Sequence, residues 1–184
     1  FLIVMKLVTI QASAIKSTFE VLKDILNDVN VYFKPDGMTI TSLDTARVAL
    51  VDVFLSADNF DEYVCENPIT AGINITNTFK LLKTITNNDV LSLSVSSKEF
   101  MDIEITSEAK KTTTKFQLKL LDINENRIEV PSQNMTTVTT MQSAEFQRMC
   151  RDMSNIGTII EIIRDKSFLT LKCMGDFANQ DTTI

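Results

Sequence analysis

The side chains best suited to acid–base work in this sequence are the carboxylates of Asp58, Asp61 and Glu62, near enough in the chain for two of them to face one substrate. Asn59 and Asn67 lie beside them, and the same run reads equally as a solvated loop. No partner base is at hand, because none of the 184 residues is histidine. That absence removes the commonest general base, the usual neutral metal ligand and the side chain that switches near neutral pH. It also removes Ser/His/Asp and Cys/His nucleophile arrangements. Cys65, Cys150 and Cys173 are scattered and form no CxxC pair. Three thiolates without histidine fall short of a structural zinc site, and the pattern fits a reducing compartment better than a disulfide framework. Neither a GxxxxGK[ST] loop nor a GxGxxG turn is present to cradle a nucleotide phosphate. The expectation is a protein that binds rather than catalyses, with no metal and no cofactor.

The cations offer a different chemistry. The formal net charge of −6 taken alone argues against nucleic acid, but what matters is whether positive charges share a surface. Lys16 and Lys23, Lys80 and Lys83, and Arg148 and Arg151 are spaced by seven or three, which places each pair on one face of a predicted helix, opposite its apolar stripe. On a single helix such a pair would be read as solubility. Its recurrence on three helices predicts a shared basic surface. Glu20 and Asp24 dilute the first pair, so the expected contacts are weak and directed at phosphates. No aromatic residues are interleaved with these cations, which argues against a stacking platform for single strands.

The helices that carry these pairs are read from periodicity. Ser13 is expected to cap a helix whose Ile15, Phe19, Leu22 and Ile25 make one stripe. Val29, Val31 and Phe33 then alternate with polar residues, Asp36-Gly37 marks a hairpin turn, and Met38, Ile40 and Ser42 resume the alternation. Further strands are expected over 48–55, 69–75, 90–95, 100–105 and 115–120, with a second helix capped by Thr76 or Asn77 and bearing Phe79, Leu82 and Ile85. The apolar opening, 1–5, is too short to cross a bilayer and reads as a buried strand; no membrane segment is expected.

From 122 to 134 the chain is polar, lacks periodicity and contains Pro131, as an extended connector would. Beyond it the opening unit recurs at an offset of about 131 residues. Val138-Thr139-Thr140 echoes Leu7-Val8-Thr9, and Phe146, Cys150, Met153 and Ile156 repeat the first apolar stripe. Ile160 and Ile162 match Val29 and Val31, and Leu169 and Leu171 match Met38 and Ile40. The repeat predicts two homologous domains, one over 1–120 and one over 136–184, joined by a connector at 121–135. By comparison with the first, the second reaches only its first half.

The segment Gly37-Met38-Thr39-Ile40-Thr41-Ser42-Leu43-Asp44-Thr45-Ala46-Arg47-Val48-Ala49-Leu50 closely resembles a signature of the proliferating cell nuclear antigen family. Phe60-Asp61-Glu62-Tyr63-Val64-Cys65, Gly72-Ile73-Asn74-Ile75-Thr76, Lys119-Leu120-Leu121-Asp122 and the run from Phe146 to Ser154 resemble further family segments in family order. The resemblance implies an α+β DNA clamp, with βαβββ units duplicated in each domain, helices lining a central hole and sheets outside. It implies a polymerase processivity factor that encircles double-stranded DNA as a head-to-tail homotrimer, in the nucleus or a viral replication compartment. DNA polymerase, a clamp loader and proteins bearing short interacting peptides would be its partners.

By the same resemblance Lys16, Lys23, Lys80, Lys83, Arg148 and Arg151 face DNA. Leu43, Thr45, Ala46, Arg47, Ile128, Val130 and Pro131 match the partner-peptide pocket. Thr112, Thr113, Thr114, Lys115, Phe116, Gln117 and Lys119 match one subunit edge, and Phe177, Ala178 and Asn179 begin the other. Lys166 falls where eukaryotic members carry a modifiable lysine, and Arg47 replaces a residue that is usually histidine in cellular members. Alternatives are a subunit of a heterotrimeric checkpoint-type clamp, or a monomeric accessory factor that binds DNA electrostatically.

Overall fold

In strand β1 (Met5–Thr9), Met5, Leu7 and Thr9 are buried while Lys6 and Val8 are half-buried, the period-two pattern of a strand with one face in a core. The computed structural model describes residues 5–124, 128–130, 132 and 134–184. Contacts divide the chain into two units, 1–130 and 131–184.

The first unit holds β1, α1 (Ala12–Leu22), β2 (Asp28–Lys34), β3 (Gly37–Leu43), β4 (Leu50–Ser56), β5 (Glu62–Cys65), β6 (Ile69–Asn74), α2 (Ile75–Leu82), β7 (Asp89–Val95), β8 (Phe100–Ser107) and β9 (Thr112–Lys119). Two antiparallel sheets result. One has the order β5-β1-β7-β8-β9, so β1 lies inside it with Met5 opposite both Cys65 and Val95. The other has the order β4-β3-β2-β6. Helices α1 and α2 pack on each other, and Phe19, Leu22 and Leu82 share one core with Phe33, Ile40, Ile73, Leu91 and Ile103 from the two sheets. Each such side chain contributes about 1.5–3 kcal/mol by leaving water.

Several expectations shift by a few residues for local reasons. Helix α1 starts from Gln11 rather than Ser13, and the apolar stripe continues to Leu26 rather than Ile25. Beyond the end of α1 the chain turns, the Leu26 N–H donating to the Leu22 carbonyl at 2.8 Å, which leaves Leu26 buried at 2 % exposure and Ile25 at 37 %. Helix α2 is capped by Asn74, whose side-chain oxygen accepts from the Asn77 N–H at 2.9 Å, earlier than the expected Thr76 or Asn77. Strand β4 begins at Leu50 rather than at 48, because Asp44 organises the preceding loop: its carboxylate accepts from the N–H groups of Val48 at 2.7 Å and Ala49 at 2.9 Å. The hairpin expected at Asp36-Gly37 forms one residue earlier: its loop is Pro35-Asp36, and Gly37 already opens β3 opposite Lys34. Gly37 has φ +146°, and a Cβ there would lie 2.2 Å from the Leu55 carbonyl oxygen.

The second unit holds α3 (Ser143–Ser154) and a sheet of β10 (Ile160–Arg164), β11 (Leu169–Met174) and β12 (Asn179–Thr183), in that order. Its buried cluster is Met149, Met153, Leu171 and Cys173. Leu169 and Leu171 are buried as the repeat predicts, but Phe146 is 40 % exposed and Ile162 60 %. The segment 138–140, expected as the counterpart of β1, forms no strand. The physical difference is the neighbours. Strand β1 is held between β5 and β7 and α1 is covered by α2, whereas among the described residues of this unit no second helix and no flanking strands do the same.

Candidate nucleic-acid interface and docking edges

Four of the six candidate DNA-facing cations lie on the adjacent helices α1 and α2, and the structure finds partners for three of them. Lys16 reaches across to α2, its Nζ donating to the Ile85 carbonyl at 2.9 Å, just past the end of that helix where carbonyl partial charge accumulates. Lys23 pairs with Asp24 at 2.7 Å and lies 5.6 Å from the centre of the Phe79 ring. The Lys80 Nζ donates to Asn77 Oδ1 at 3.1 Å. Lys83 is exposed, with no side-chain partner among the described residues. On α3, Arg148 and Arg151 are likewise exposed and unpaired among the described residues. Spacing alone located these cations, but could not tell those free to meet a phosphate from those already tied to the helix pair.

Two of the three carboxylates singled out for acid–base chemistry are engaged by β1 and the residue after it. Asp61 Oδ2 accepts from the Ile10 N–H at 2.8 Å, and Glu62 pairs with Lys6 at 2.8 Å across the β1–β5 ladder. Asp58 sits in a short 3-10 turn, Ala57–Asn59. Among the described residues no group of three or more His, Cys, Asp or Glu side chains could hold a metal ion, and no helix is long and apolar enough to cross a membrane.

Four of the seven residues matched to a peptide pocket, Leu43, Thr45, Ala46 and Arg47, lie on the β3–β4 hairpin. Leu43 ends β3 opposite Leu50, and Thr45, Ala46 and Arg47 are exposed in the connecting loop. Arg47 has φ +58°, the left-handed region that non-glycine residues seldom occupy. The loop is braced around Asp44, whose carboxyl is held below its usual range by backbone hydrogen bonds, that of Ala49 first and that of Val48 next. Exposed apolar side chains that sequence reasoning did not assign stand on the same hairpin: Val48, Leu50 and Phe54. For Leu50 and Phe54 the signal was present in the outward half of the β4 alternation. Ile128 is half-buried and Val130 is 45 % exposed; Pro131 lies outside the described residues.

Strand β9, which carries Thr112, Thr113, Thr114, Lys115, Phe116, Gln117 and Lys119, is an edge strand, bonded only to β8. Its outer groups are tied inward: Lys115 pairs with Glu104 at 2.8 Å, which raises the Lys115 pKa, and Gln117 Nε2 donates to Asp102 Oδ1 at 3.2 Å. Phe177 and Ala178 form the turn into β12, which begins at Asn179 and is the edge of the second unit's sheet. Phe177 is 78 % exposed. Each unit therefore presents an edge whose outward backbone groups have no strand beside them among the described residues. Lys166 is exposed in the β10–β11 hairpin, its N–H donating to Asp165 Oδ1 at 2.6 Å.

Comparison with known proteins agrees across the chain. Residues 4–128 match the family model described as proliferating cell nuclear antigen, N-terminal domain, and residues 129–184 match that of the C-terminal domain. A relative from Paramecium bursaria Chlorella virus 1, named probable DNA polymerase sliding clamp 1, is 37 % identical over 182 residues, covering 96 % of this chain and 70 % of its own. Proliferating cell nuclear antigen from Dictyostelium discoideum is 29 % identical over 177 residues, covering 95 % of this chain and 69 % of its own. The crystal structure of the proliferating cellular nuclear antigen from Entamoeba histolytica superposes with a TM-score of 0.91 at 29 % identity, covering all of this chain and 74 % of that one. With its α+β sheets and helix pair in the DNA clamp arrangement, this chain belongs to the proliferating cell nuclear antigen family.

Proposed function

We infer that the chain is a DNA sliding clamp, a polymerase processivity factor that works by enclosing duplex DNA and carries out no reaction of its own. The observation that carries this reading is the α1–α2 pair, whose buried stripes complete the core while Lys80 and Lys83 stand exposed and Lys16 and Lys23 lie half-buried, turned toward α2. Cations held at low density suit a protein that must slide. Phosphate contacts carry no sequence information, and a closed ring need not bind tightly to stay in place.

In this reading Arg148 and Arg151 also face DNA, and three copies close head to tail, β9 of one against β12 of the next. The two edges are unlike, as a heterologous contact requires. Domains at 1–120 and 136–184 with a connector at 121–135 organise the subunit. DNA polymerase, a loader and other proteins dock by short peptides with aliphatic and aromatic anchors at Leu43, Thr45, Ala46, Arg47, Ile128, Val130 and Pro131. The exposed Val48, Leu50 and Phe54 supply apolar surface beside them. The site of action is the nucleus or a viral replication compartment.

The solution mass by light scattering, taken over a range of protein and salt concentrations, tests the assembly. A stable mass near three subunits is expected. A monomer at every concentration would overturn the homotrimer and leave a heteromeric clamp or an electrostatic accessory factor.

A further inference from the structure

Asn30 occupies the outward side of β2, where the alternation of Val29, Val31 and Phe33 would leave it in water, yet it is only 9 % exposed. The chain that follows β9 passes over it. The Asn30 side-chain amide donates to the carbonyl of Ile123, 93 residues away in sequence, at 3.1 Å. Its partner in the ladder is Gly72 on β6, and the Gly72 carbonyl accepts from the Leu121 N–H at 2.8 Å. A Cβ at position 72 would lie 2.2 Å from the Leu121 carbonyl oxygen and 3.2 Å from the Ile123 side chain. The bare backbone of Gly72 is therefore what allows the departing chain close enough for the amide of Asn30 to reach it.

We propose that Asn30 and Gly72 form a latch that seats the root of the connecting segment on the four-stranded sheet, which makes Asn30 a positioning residue for the docking surface. The proposal rests on the reading above that Ile128 and Val130 contribute to that surface. Ile128 is five positions beyond Ile123, a reach of at most about 18 Å when extended. Pinning Ile123 thus bounds the volume that Ile128 can explore. A docking surface held in place loses less freedom when a peptide binds, and the gain appears as affinity.

Hydrogen–deuterium exchange on the intact protein tests the latch without any ligand. Asn30→Asp keeps the shape of the side chain and replaces the donor by an acceptor; Asn30→Ala removes the group. In both variants exchange of the Leu121 amide, which donates to the Gly72 carbonyl, is expected to rise roughly tenfold, the worth of one net hydrogen bond, while β2 and β6 keep their protection. Unchanged exchange at the Leu121 amide overturns the latch. A parallel rise in β2 and β6 overturns it too, because the bond would then be a general support of the sheet.

The positioning role is read with a fluorescent synthetic peptide carrying one aliphatic and two aromatic anchors. Its affinity for Asn30→Asp should fall by about the same factor, through faster dissociation. A loosened connector with unchanged peptide affinity overturns the positioning role. A wild-type protein that does not bind the peptide overturns the docking reading of the preceding section, and the exchange data still decide the latch.

Discussion

Replacing Lys83, Arg148 and Arg151 together by glutamine should alter salt dependence far more than folding. The three side chains are exposed and have no hydrogen-bond or ion-pair partner among the described residues, so nothing in the fold depends on them. A cation that neutralises one phosphate of duplex DNA contributes about 0.9 to the slope of log affinity against log salt. Losing three such contacts flattens the slope by about 2.7, and near 0.1 M salt each is worth roughly eightfold, or roughly 500-fold for the triple variant. Stability should stay within about 0.5 kcal/mol of the parent. Fluorescence anisotropy with a labelled duplex, titrated from about 50 to 200 mM salt, measures the slope; a thermal melt provides the control. An unaltered slope in a folded triple variant would refute the argument that these cations line the DNA path.

Lys16→Met should behave in the opposite way, losing about 1 kcal/mol of stability in a denaturant melt, because its half-exposed ammonium joins α1 to the end of α2 through the Ile85 carbonyl. Gly72→Ala should cost about 1–3 kcal/mol by the same measurement and release the root of the connector, since the new methyl would meet backbone rather than a yielding side chain. The Asp89 carboxyl is held below its usual range, first by the Ser107 hydroxyl and then by the Thr86 N–H, which donates to it at 2.8 Å. Its contribution is therefore fully present above the ordinary value of about 4 and lost as pH falls through the lower folded value. Asp89→Asn should lower Tm near neutral pH and flatten the acid limb of the Tm–pH curve.

Local pattern made most of the first unit legible, because its two sheets and helix pair each bury one regular face. What sequence could not show was anything set by a distant partner. Strand β5 looked like a solvated acidic loop, since Asp61 and Glu62 acquire their roles only when Ile10 and Lys6 arrive from more than fifty positions away. The burial of Asn30 was hidden for the same reason: alternation assigned it to solvent, and its partner Ile123 lies 93 positions away. In the second unit the repeat carried the helix and the buried Leu169 and Leu171, but not the exposure of Ile162 or the missing strand at 138–140. A repeated sequence reproduces a repeated environment only where the neighbours are repeated too. Among the cations, periodicity gave the helix face, whereas it could not show the ties of Lys16 to the Ile85 carbonyl, of Lys23 to the adjacent Asp24 and of Lys80 to Asn77 one turn back.

The interior position of β1 bears on synthesis at the ribosome. Met5 and Leu7 are fully enclosed only when Val95 and Leu93 of β7 stand beside them, and those residues are made close to 90 positions later. At roughly 5–20 residues per second, an apolar strand then waits about 4–18 s for its partner. During that interval α1 can close over it locally, but the hydrogen-bonding edge that β7 will occupy stays open. Codon changes that slow translation between β1 and β7 should thus lower the soluble yield of an unchanged amino-acid sequence, whereas the same delay placed after β9 should be harmless to this sheet.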